Sequence, residues 1–394
     1  MILDYPGSVL LLAFALAAAA QTSGRIVSWG WEVNGLVSNT PAGDDFVQIA
    51  AGWQHSLALD CSGIVTSWGS DAHGQISGTP VGGGFAQIAG GWYHSLTLRA
   101  DGAIVSWGRD EAGQVADTPA GGGFVQVSGG WQHSHALHCD GWIASWGWDG
   151  SGVVSDTPLG NDFIQVAGGA WHSLALRADG SIVSWGWDGY GQVSGTPAGA
   201  DFVAVATKDD HSLALRRDGT LASWGRDDAG QASGTPLGND FARIAAGGLH
   251  SLALRADGSL AAWGDDRYGQ VSGAPPGSGN LTIAAGYYHA LVIERTFTLA
   301  ANGSCPGAIT LEIRGATPGA SVAILAGAEG ATVRVAPPCA DLRVDLAAPR
   351  VAALLTADAH GAASLTATLG AAACGLRVQA VDLARCRPSN PVTL

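Results

Sequence analysis

The chain has 394 residues, of which 47% are apolar and 13% charged, and its net charge is −14. A chain of this length and apolar content can bury a large core. Nucleic-acid-binding proteins and proteins that bind anionic membranes need basic surfaces, whereas Lys208 is the sole lysine here. The composition therefore argues against both classes of partner.

Residues 1–20 have the composition of a secretory signal peptide. Residues 8–20 form an apolar run that ends in alanines, which predicts cleavage near Ala20 and a secreted or extracytoplasmic protein. The run is too short to span a bilayer comfortably, so membrane insertion is not expected. One feature is atypical, because Asp4 precedes the run and no Lys or Arg does.

Residues 24–297 are predicted to form a repeat domain. A Trp-Gly pair recurs at intervals of 39 residues, at Trp29, Trp68, Trp107, Trp146, Trp185, Trp224 and Trp263. A histidine recurs with the same period, at His55, His94, His133, His172, His211, His250 and His289. Seven copies in strict register indicate one short structural unit that packs on its own neighbours.

Each repeat shows three strand patterns, named A, B and C in chain order. In one copy they cover residues 163–167, 172–177 and 182–186, and Asp179-Gly180 supplies a hairpin turn between B and C. A glycine-containing loop and a short stretch that could form a fourth strand follow. Because no helical period is sustained before residue 296, the repeats predict an all-β fold of the β-propeller type.

The phase of the repeats favours a closed ring. The chain enters at strand C, residues 25–29, and the last repeat ends after strand B, residues 289–294. Pairing of these two strands would complete the last sheet, give seven whole blades and hide both edges. We therefore predict a seven-bladed β-propeller that is closed by its N-terminal strand.

The repeated string Ala-Gly-Gly-x-x-His-Ser-Leu-Ala-Leu, followed by Asp-Gly and Ser-Trp-Gly, resembles the repeat of the regulator of chromosome condensation family. The short unit and its Trp-Gly-x-Asp-x-x-Gly-Gln segment resemble the bacterial β-lactamase inhibitor protein II, a compact secreted branch of that family. The resemblance implies a seven-bladed propeller with a binding role. It does not transfer a partner.

Residues 298–394 differ in composition from the repeats and are predicted to form a small β-sandwich. Strand-like stretches separated by turn residues occur at 309–313, 322–325, 332–335, 342–346, 363–369 and 376–381. The region resembles C-terminal modules of exported bacterial proteins, with Ser-Cys-Pro-Gly, Pro-Pro-Cys and Ala-Ala-Cys-Gly segments.

The cysteines fall into two groups. Four lie in the C-terminal region, at Cys305, Cys339, Cys374 and Cys386, and in an exported domain they predict two disulfides. Three pairings are possible; sequence proximity favours Cys305–Cys339 with Cys374–Cys386. A zinc site is the alternative, but the spacing is unlike that of zinc knuckles. Cys61 and Cys139 occupy equivalent positions in two repeats that are not adjacent, so both are expected to be free.

Two repeated polar positions, one histidine and one acidic, resemble catalytic or metal-binding residues. Symmetry disperses the seven histidines around a ring, whereas a metal needs converging ligands, so we expect them to hold the A–B turn by hydrogen bonds. An acidic residue follows each repeat tryptophan by three positions: Glu32, Asp71, Asp110, Asp149, Asp188, Asp227 and Asp266. These are expected to stabilise a turn, and a ring of negative charge is the alternative.

A second set of aromatic residues is not common to all repeats. Trp53, Trp92, Trp131 and Trp171 lie in the A–B turn, whereas Trp31, Trp148 and Trp187 open the loop after strand C. Antiparallel order places that turn and that loop on the same rim. The candidate partner-binding residues are Trp31, Trp53, Trp92, Trp131, Trp148, Trp171, Trp187, Tyr190, Tyr268 and Tyr288. We expect these tryptophans to be partly exposed and the Trp-Gly series to be buried.

The sequence contains no nucleophile–base pair, phosphate loop or metal signature, so an enzyme, a cofactor and a metal are not expected. The predicted function is that of a secreted, monomeric binding protein, which engages a protein partner through an aromatic and acidic rim. Carbohydrate binding is the alternative, since aromatic side chains also stack on sugars. Sugar sites would repeat in every blade, and the uneven distribution of the aromatics favours one protein-binding patch.

Overall fold

The computed structural model describes residues 23–295 and, between residues 298 and 393, the strands given below. Every regular element in this described part of the chain is a β-strand. Among the described residues, none lies in a helix long and apolar enough to cross a membrane. The signal-peptide prediction for residues 1–20 lies outside the described residues.

The repeat domain begins with β1 (Gly24–Gly30) and continues as three-stranded antiparallel units. Units 1 to 3 are β2 (Phe46–Ala51), β3 (His55–Asp60) and β4 (Val65–Gly69); β5 (Phe85–Gly90), β6 (His94–Arg99) and β7 (Ile104–Gly108); β8 (Phe124–Gly129), β9 (His133–His138) and β10 (Ile143–Gly147). Units 4 to 6 are β11 (Phe163–Gly168), β12 (His172–Arg177) and β13 (Ile182–Gly186); β14 (Phe202–Lys208), β15 (His211–Arg216) and β16 (Leu221–Gly225); β17 (Phe241–Ala246), β18 (His250–Arg255) and β19 (Leu260–Gly264). The last repeat supplies β20 (Asn280–Ala285) and β21 (His289–Arg295).

The three predicted strands A, B and C are therefore present, and the possible fourth is not a strand. The loop after strand C folds into consecutive turns, for example over residues 75–78. Its threonine explains why: Thr79 Oγ1 donates to the Ile76 carbonyl at 2.7 Å and lies 2.7 Å from Ser67 Oγ of strand C. Side-chain bonds of this kind compete with a sheet ladder and favour a turn.

The N-terminal strand pairs with the last repeat as predicted. β1 runs antiparallel to β21 in continuous register from Gly24↔Arg295 to Gly30↔His289. Arg25 Nη2 and Glu294 Oε2 lie 2.9 Å apart across this pairing. A single further pair, Gly24↔Phe46, joins β1 to β2.

Neighbouring units share their cores. Leu57 and Leu59 of strand B in unit 1 pack with Phe85, Ile88 and Trp107 of unit 2, and all five are buried. The indole N–H of Trp107 also donates to the Gln75 carbonyl in the preceding loop, at 2.9 Å. The regular spacing of Trp-Gly along this chain therefore corresponds to the contacts between units, because each indole packs between two sheets.

The C-terminal region is also made of strands. They are β22 (Thr298–Gly303), β23 (Gly307–Arg314), β24 (Ser321–Ala328), β25 (Val333–Arg334), β26 (Arg343–Val344), β27 (Ala347–Thr356), β28 (Ala363–Leu369), β29 (Arg377–Asp382), β30 (Arg387–Pro388) and β31 (Val392–Thr393). One sheet has the order β22-β23-β28, and in another β24 lies between β27 and β29.

All six predicted C-terminal stretches contain a strand. Four strands lie outside those stretches: β22 and β27, whose alanine-rich segments lack clear alternation, and the two-residue strands β30 and β31. The four cysteines of the predicted disulfides, Cys305, Cys339, Cys374 and Cys386, lie outside the described residues, so their pairing stays a prediction. Cys61 and Cys139 are free and exposed, as predicted.

Candidate binding rim

The A–B turns and the loops after strand C lie on one rim of the units, as predicted. In each unit the residue two positions after the repeat tryptophan donates its backbone N–H to the carbonyl just before the histidine. Trp148 N donates to Gln132 O at 2.8 Å, and Trp187 N to Trp171 O at 2.8 Å. The same bond joins Trp31 N to Tyr288 O at 2.8 Å, between β1 and the last repeat.

The repeat histidines have a structural role, but the predicted hydrogen-bond partner was wrong. All seven are fully buried. His55 Nε2 forms a hydrogen bond with Ser95 Oγ of the next unit at 2.9 Å, and His289 Nε2 bonds Ser56 Oγ at 2.8 Å. The bond thus links neighbouring units and does not hold the A–B turn. Glycine is required in that turn to accommodate the imidazole ring, since a Cβ at Gly52 would lie 2.1 Å from His55 Cε1.

The repeated acidic residues stabilise turns, as expected. Asp188 Oδ1 accepts backbone N–H groups from Val193 at 2.8 Å and Ser194 at 2.9 Å. These hydrogen bonds lower the pKa of Asp188. The same two bonds occur at Glu32, Asp71, Asp110, Asp149, Asp227 and Asp266. All seven side chains are exposed on the rim, so they also contribute negative charge there.

All candidate rim aromatics except Trp187 and Tyr190 belong to one continuous cluster. Its centre is Trp92, whose ring centroid lies 5.6 Å from that of Trp53, 5.9 Å from Trp131 and 5.4 Å from Tyr287. From this centre, ring contacts extend through Trp131 to Trp148 and Trp171, and through Tyr287 to Tyr288, Trp31 and Tyr268. Trp187 and Tyr190 form a separate pair, with centroids 5.3 Å apart.

The two tryptophan sets differ in burial as predicted. The Trp-Gly series is 4–7% exposed. Every candidate rim residue is half-buried or exposed, up to 39% for Trp187 and 45% for Tyr190. The Nε1 atoms of Trp53 and Trp92 are buried and have no hydrogen-bond acceptor among the described residues. A buried N–H without an acceptor is unfavourable, so the packing of the rim leaves these two indoles unsatisfied.

Unit 5 departs from the pattern at its A–B turn. Lys208 occupies the position where the other repeats have glycine, as at Gly169 and Gly247. Because Lys208 pairs with His211 in the sheet, only Asp209 and Asp210 form the turn. Asp209 has a φ of 51°, in the left-handed region that aspartate tolerates. The Lys208 ammonium reaches other units and donates to Ala51 O at 2.7 Å and Gly90 O at 3.3 Å.

The two carboxylates of this turn are buried at the edge of the aromatic cluster. Burial, and then the neighbouring Asp210, raise the pKa of Asp209 to about 7. Burial also raises the pKa of Asp210 to about 6, against the effect of Arg226. Burial lowers the pKa of Lys208 to about 8. Arg226 Nη1 lies 3.7 Å from Asp209 and 3.8 Å from Asp210, beyond hydrogen-bond distance.

A polar cavity of about 500 Å³ opens beside this turn. Its lining includes Arg226, Asp228, Asp265 and Arg267. The Arg226 guanidinium also lies over the Tyr190 ring, 5.3 Å from its centroid, and so connects the Trp187–Tyr190 pair to the rest of the rim. The rim thus combines an aromatic patch with a neighbouring cleft of mixed charge.

The sequence reasoning missed part of this surface. The A–B turn has two variable positions, and the prediction did not distinguish them. Two residues before the histidine lie Trp53, Trp92, Trp131, Asp209 and Tyr287. One residue before the histidine lie Tyr93, Trp171, Asp210 and Tyr288. Tyr93 and Tyr287 were omitted from the candidates, although Tyr287 contacts both Trp53 and Trp92. Aligning the repeats on the histidine would have identified both.

Comparisons with known proteins agree with this fold. The profile of the Regulator of chromosome condensation (RCC1) repeat matches residues 46–75, 85–114, 163–192, 202–231 and 241–270. No curated protein sequence matches the chain. Each matched segment begins at strand A and ends in the loop after strand C.

Several solved structures are similar at low sequence identity. Prp20p from Saccharomyces cerevisiae, described with its binding properties to Gsp1p and histones, has a TM-score of 0.57 and 20% identity over 70% of this chain and 92% of that one. Human WBSCR16 has a TM-score of 0.56 and 19% identity over 69% and 98%. The ectodomain of the Physcomitrella patens receptor kinase CR4 has a TM-score of 0.51 and 21% identity over 67% and 70%. At these identities the likeness concerns the fold alone, and the chain is an RCC1-like β-propeller of repeated three-stranded blades.

Proposed function

We propose that this chain is a secreted, non-enzymatic binding protein that engages a protein partner through the aromatic and acidic rim. The observation that carries the proposal is the continuous ring cluster centred on Trp92, whose aromatic side chains are half-buried or exposed on one rim. Tryptophan and tyrosine contribute more binding free energy at protein interfaces than most side chains. A patch of this kind at the surface is typical of an interaction site.

The proposal includes a closed ring of seven blades, in which β20, β21 and β1 form the last. Three observations support it: the register of β1 with β21, the contact between β2 and β20, and the His289–Ser56 hydrogen bond. A closed ring would present the A–B turns of all blades around one axis. The aromatic side chains of separate blades would then act as one rigid surface, which limits the entropy lost on binding.

A protein partner is favoured over a carbohydrate because the rim is uneven. At the position two residues before the histidine, three successive repeats carry Trp53, Trp92 and Trp131, whereas others carry Ala170, Asp209 or Gly248. Sugar sites built from a repeat would recur from blade to blade, and these residues do not. The secreted location and the kinship with the inhibitor branch of the family belong to the same proposal.

The test compares tryptophans on opposite rims. Trp92→Ala should weaken binding of the partner captured from the extracellular fraction of the source cells by about 2 kcal/mol or more, roughly thirtyfold. Trp142→Ala is the matched control, because Trp142 is 39% exposed but lies at the B–C hairpin, on the other rim. The captured protein is first identified by mass spectrometry, and affinities are then measured with the purified pair.

Two results would contradict the proposal. One is an equal loss of affinity in Trp92→Ala and Trp142→Ala, with unchanged melting temperatures. The other is binding of the purified chain to a glycan array at the same rim, with loss of the signal in Trp92→Ala, which would establish the carbohydrate alternative.

A further inference from the structure

Three different metal-ligating side chains meet at one hairpin turn on the rim opposite the aromatic cluster. The turn joins β9 to β10 and contains His138, Cys139 and Asp140 in succession. One donor atom from each, Nδ1, Sγ and a carboxylate oxygen, lies within 4.8 Å of the other two. His138 is half-buried, and Cys139 and Asp140 are exposed, so an ion could reach the turn from solvent.

Two of the three donor–donor distances fit a tetrahedral ion. Zinc binds histidine nitrogen at about 2.0–2.1 Å and thiolate sulfur at about 2.3 Å, so two ligand atoms on one zinc lie roughly 3.3–3.8 Å apart. Here His138 Nδ1 lies 3.7 Å from Cys139 Sγ and 3.3 Å from Asp140 Oδ2. His138 Nδ1 also accepts the Asp140 backbone N–H at 3.2 Å, so its lone pair is already directed into the turn. A bound ion would replace that hydrogen bond.

The histidine is held in place by its neighbours. Its ring stacks on Trp142, with centroids 4.7 Å apart and planes 20° from parallel, and its edge contacts Phe124 at 5.5 Å. A ligand fixed by packing loses little rotational freedom when it binds a metal, and this favours affinity.

The other hairpins show that this set of donors is particular to unit 3. The residue equivalent to His138 is an arginine in four other units: Arg99, Arg177, Arg216 and Arg255. The guanidinium of each lies over a phenylalanine ring, as Arg177 does over Phe163 at 4.6 Å. In unit 3 the ring of His138 occupies this place beside Phe124 and adds a metal-ligating nitrogen that arginine lacks.

We propose that the His138-Cys139-Asp140 turn binds a zinc-like divalent cation. Nδ1 of His138, the Cys139 thiolate and the Asp140 carboxylate supply three ligands, and water completes a tetrahedron. The metal–sulfur bond forms as the Cys139 thiol releases its proton to solvent, so the affinity falls as the pH is lowered.

The test uses Co²⁺ and Zn²⁺ added to the full, metal-free chain. Tetrahedral Co²⁺ bound to a thiolate should give visible d–d absorption and a near-ultraviolet sulfur-to-metal band, both displaced by Zn²⁺. Cys139→Ser should abolish the sulfur-to-metal band and lower the stoichiometry by one ion. Cys61→Ser is the matched control, because Cys61 is exposed at the equivalent turn of unit 1, where Asp60 and Ser62 flank it and no histidine is adjacent.

Two further variants separate ligation from folding. His138→Arg introduces the residue found in four other units, so the fold should be retained while the affinity for Zn²⁺ falls about tenfold or more. Asp140→Asn should weaken binding in the same direction. The proposal is overturned if wild type shows no thiolate band, if the band survives in Cys139→Ser, or if His138→Arg binds Zn²⁺ as tightly as wild type.

Discussion

One serine-to-alanine difference separates His250 from the other repeat histidines. His250 would bond the residue forty positions later, as His55 bonds Ser95, but that residue is Ala290. Both ring nitrogens of His250 are buried and have no partner among the described residues. The contact between unit 6 and the last repeat therefore lacks a bond that other contacts have.

Restoring this bond should stabilise the protein. We expect Ala290→Ser to raise the free energy of unfolding by about 1 kcal/mol, because a hydroxyl would pair with a buried imidazole. Ser134 occupies the equivalent position in unit 3 and is fully buried, as Ala290 is, so the repeat accommodates a serine at this position. Urea denaturation measures the change. Ser134→Ala is the opposite control and should lower stability by about 1–3 kcal/mol, since it leaves His94 unpaired. A destabilised Ala290→Ser variant would contradict the prediction.

A second residue-level prediction concerns Asp209. Its pKa in the folded chain is raised to about 7, so between about pH 4 and pH 7 the folded state holds a proton that the unfolded state has lost. This group therefore lowers stability as the pH rises through that interval, and the loss persists above it. Asp209→Asn resembles the protonated side chain and tolerates the φ of 51°.

The gain in stability of Asp209→Asn over wild type should therefore grow from pH 5 to pH 8, by at most about 1.4 kcal/mol per pH unit. Denaturant unfolding of both proteins at a series of pH values measures it. Asp188→Asn serves as the comparison, because the lowered pKa of Asp188 requires the opposite trend at acidic pH. A pH-independent difference for Asp209→Asn would refute the prediction.

Among the elements, β1 combines two roles. It supplies the edge partner of β21 over the whole register from Gly24 to Gly30, and it places Trp29 in a core cluster with Leu252, Leu254 and Val292. In the described residues, β1 takes the place beside β21 that strand C takes beside strand B in the other units.

Removal of β1 should therefore abolish cooperative unfolding. A variant that begins after residue 31 should melt at lower temperature and over a broader range, since the edge of β21 and the Leu252 core would be open to water. A variant that begins at residue 23 keeps β1 intact and is the control. Circular dichroism and calorimetry follow both transitions. Identical sharp transitions for the two variants would show that β1 is dispensable.

The strands were largely predictable because the same strand pattern recurs in every repeat. Alternation and the Asp-Gly turns located strands A, B and C, and the phase of the repeats predicted the partner of β1. The turn after strand C was harder, since it depends on side-chain bonds such as that of Thr79 to Ile76 O. The two-residue turn at Asp209-Asp210 was visible as a break in the pattern, but its geometry follows from Lys208 bonding carbonyls of units 1 and 2.

At the scale of the whole molecule, the sequence indicated where the aromatic residues would gather but not how they contact one another. The rim was predictable from strand direction alone. The link from Trp92 to Tyr287 was not, because it joins residues 195 positions apart, in unit 2 and in the last repeat. The His138-Cys139-Asp140 cluster was missed for another reason: His138 lies outside the repeated histidine series, on which the metal argument was based.

The repeat histidines together should make the whole molecule sensitive to acid. Burial lowers the pKa of His55, His94, His133, His172, His211 and His289 to about 3, and that of His250 to about 4. In the unfolded chain each imidazole binds a proton near pH 6.5. The unfolded state therefore binds more protons below pH 6.5, so this contribution to stability is complete above that pH and is lost as the pH falls towards 3.

Between pH 6.5 and pH 5 we expect the free energy of unfolding to fall steeply, because each histidine contributes up to about 1.4 kcal/mol per pH unit. Asp209 and Asp210 oppose this trend, since their raised pKa values act with the opposite sign. Denaturant unfolding at closely spaced pH values gives the slope, and calorimetry in buffers of different ionisation enthalpy gives the protons taken up. His94→Gln should reduce that uptake by up to one proton. A stability that is flat from pH 7 to pH 5, with no proton uptake on unfolding once the protons that Asp209 and Asp210 release are counted, would contradict the lowered histidine pKa values.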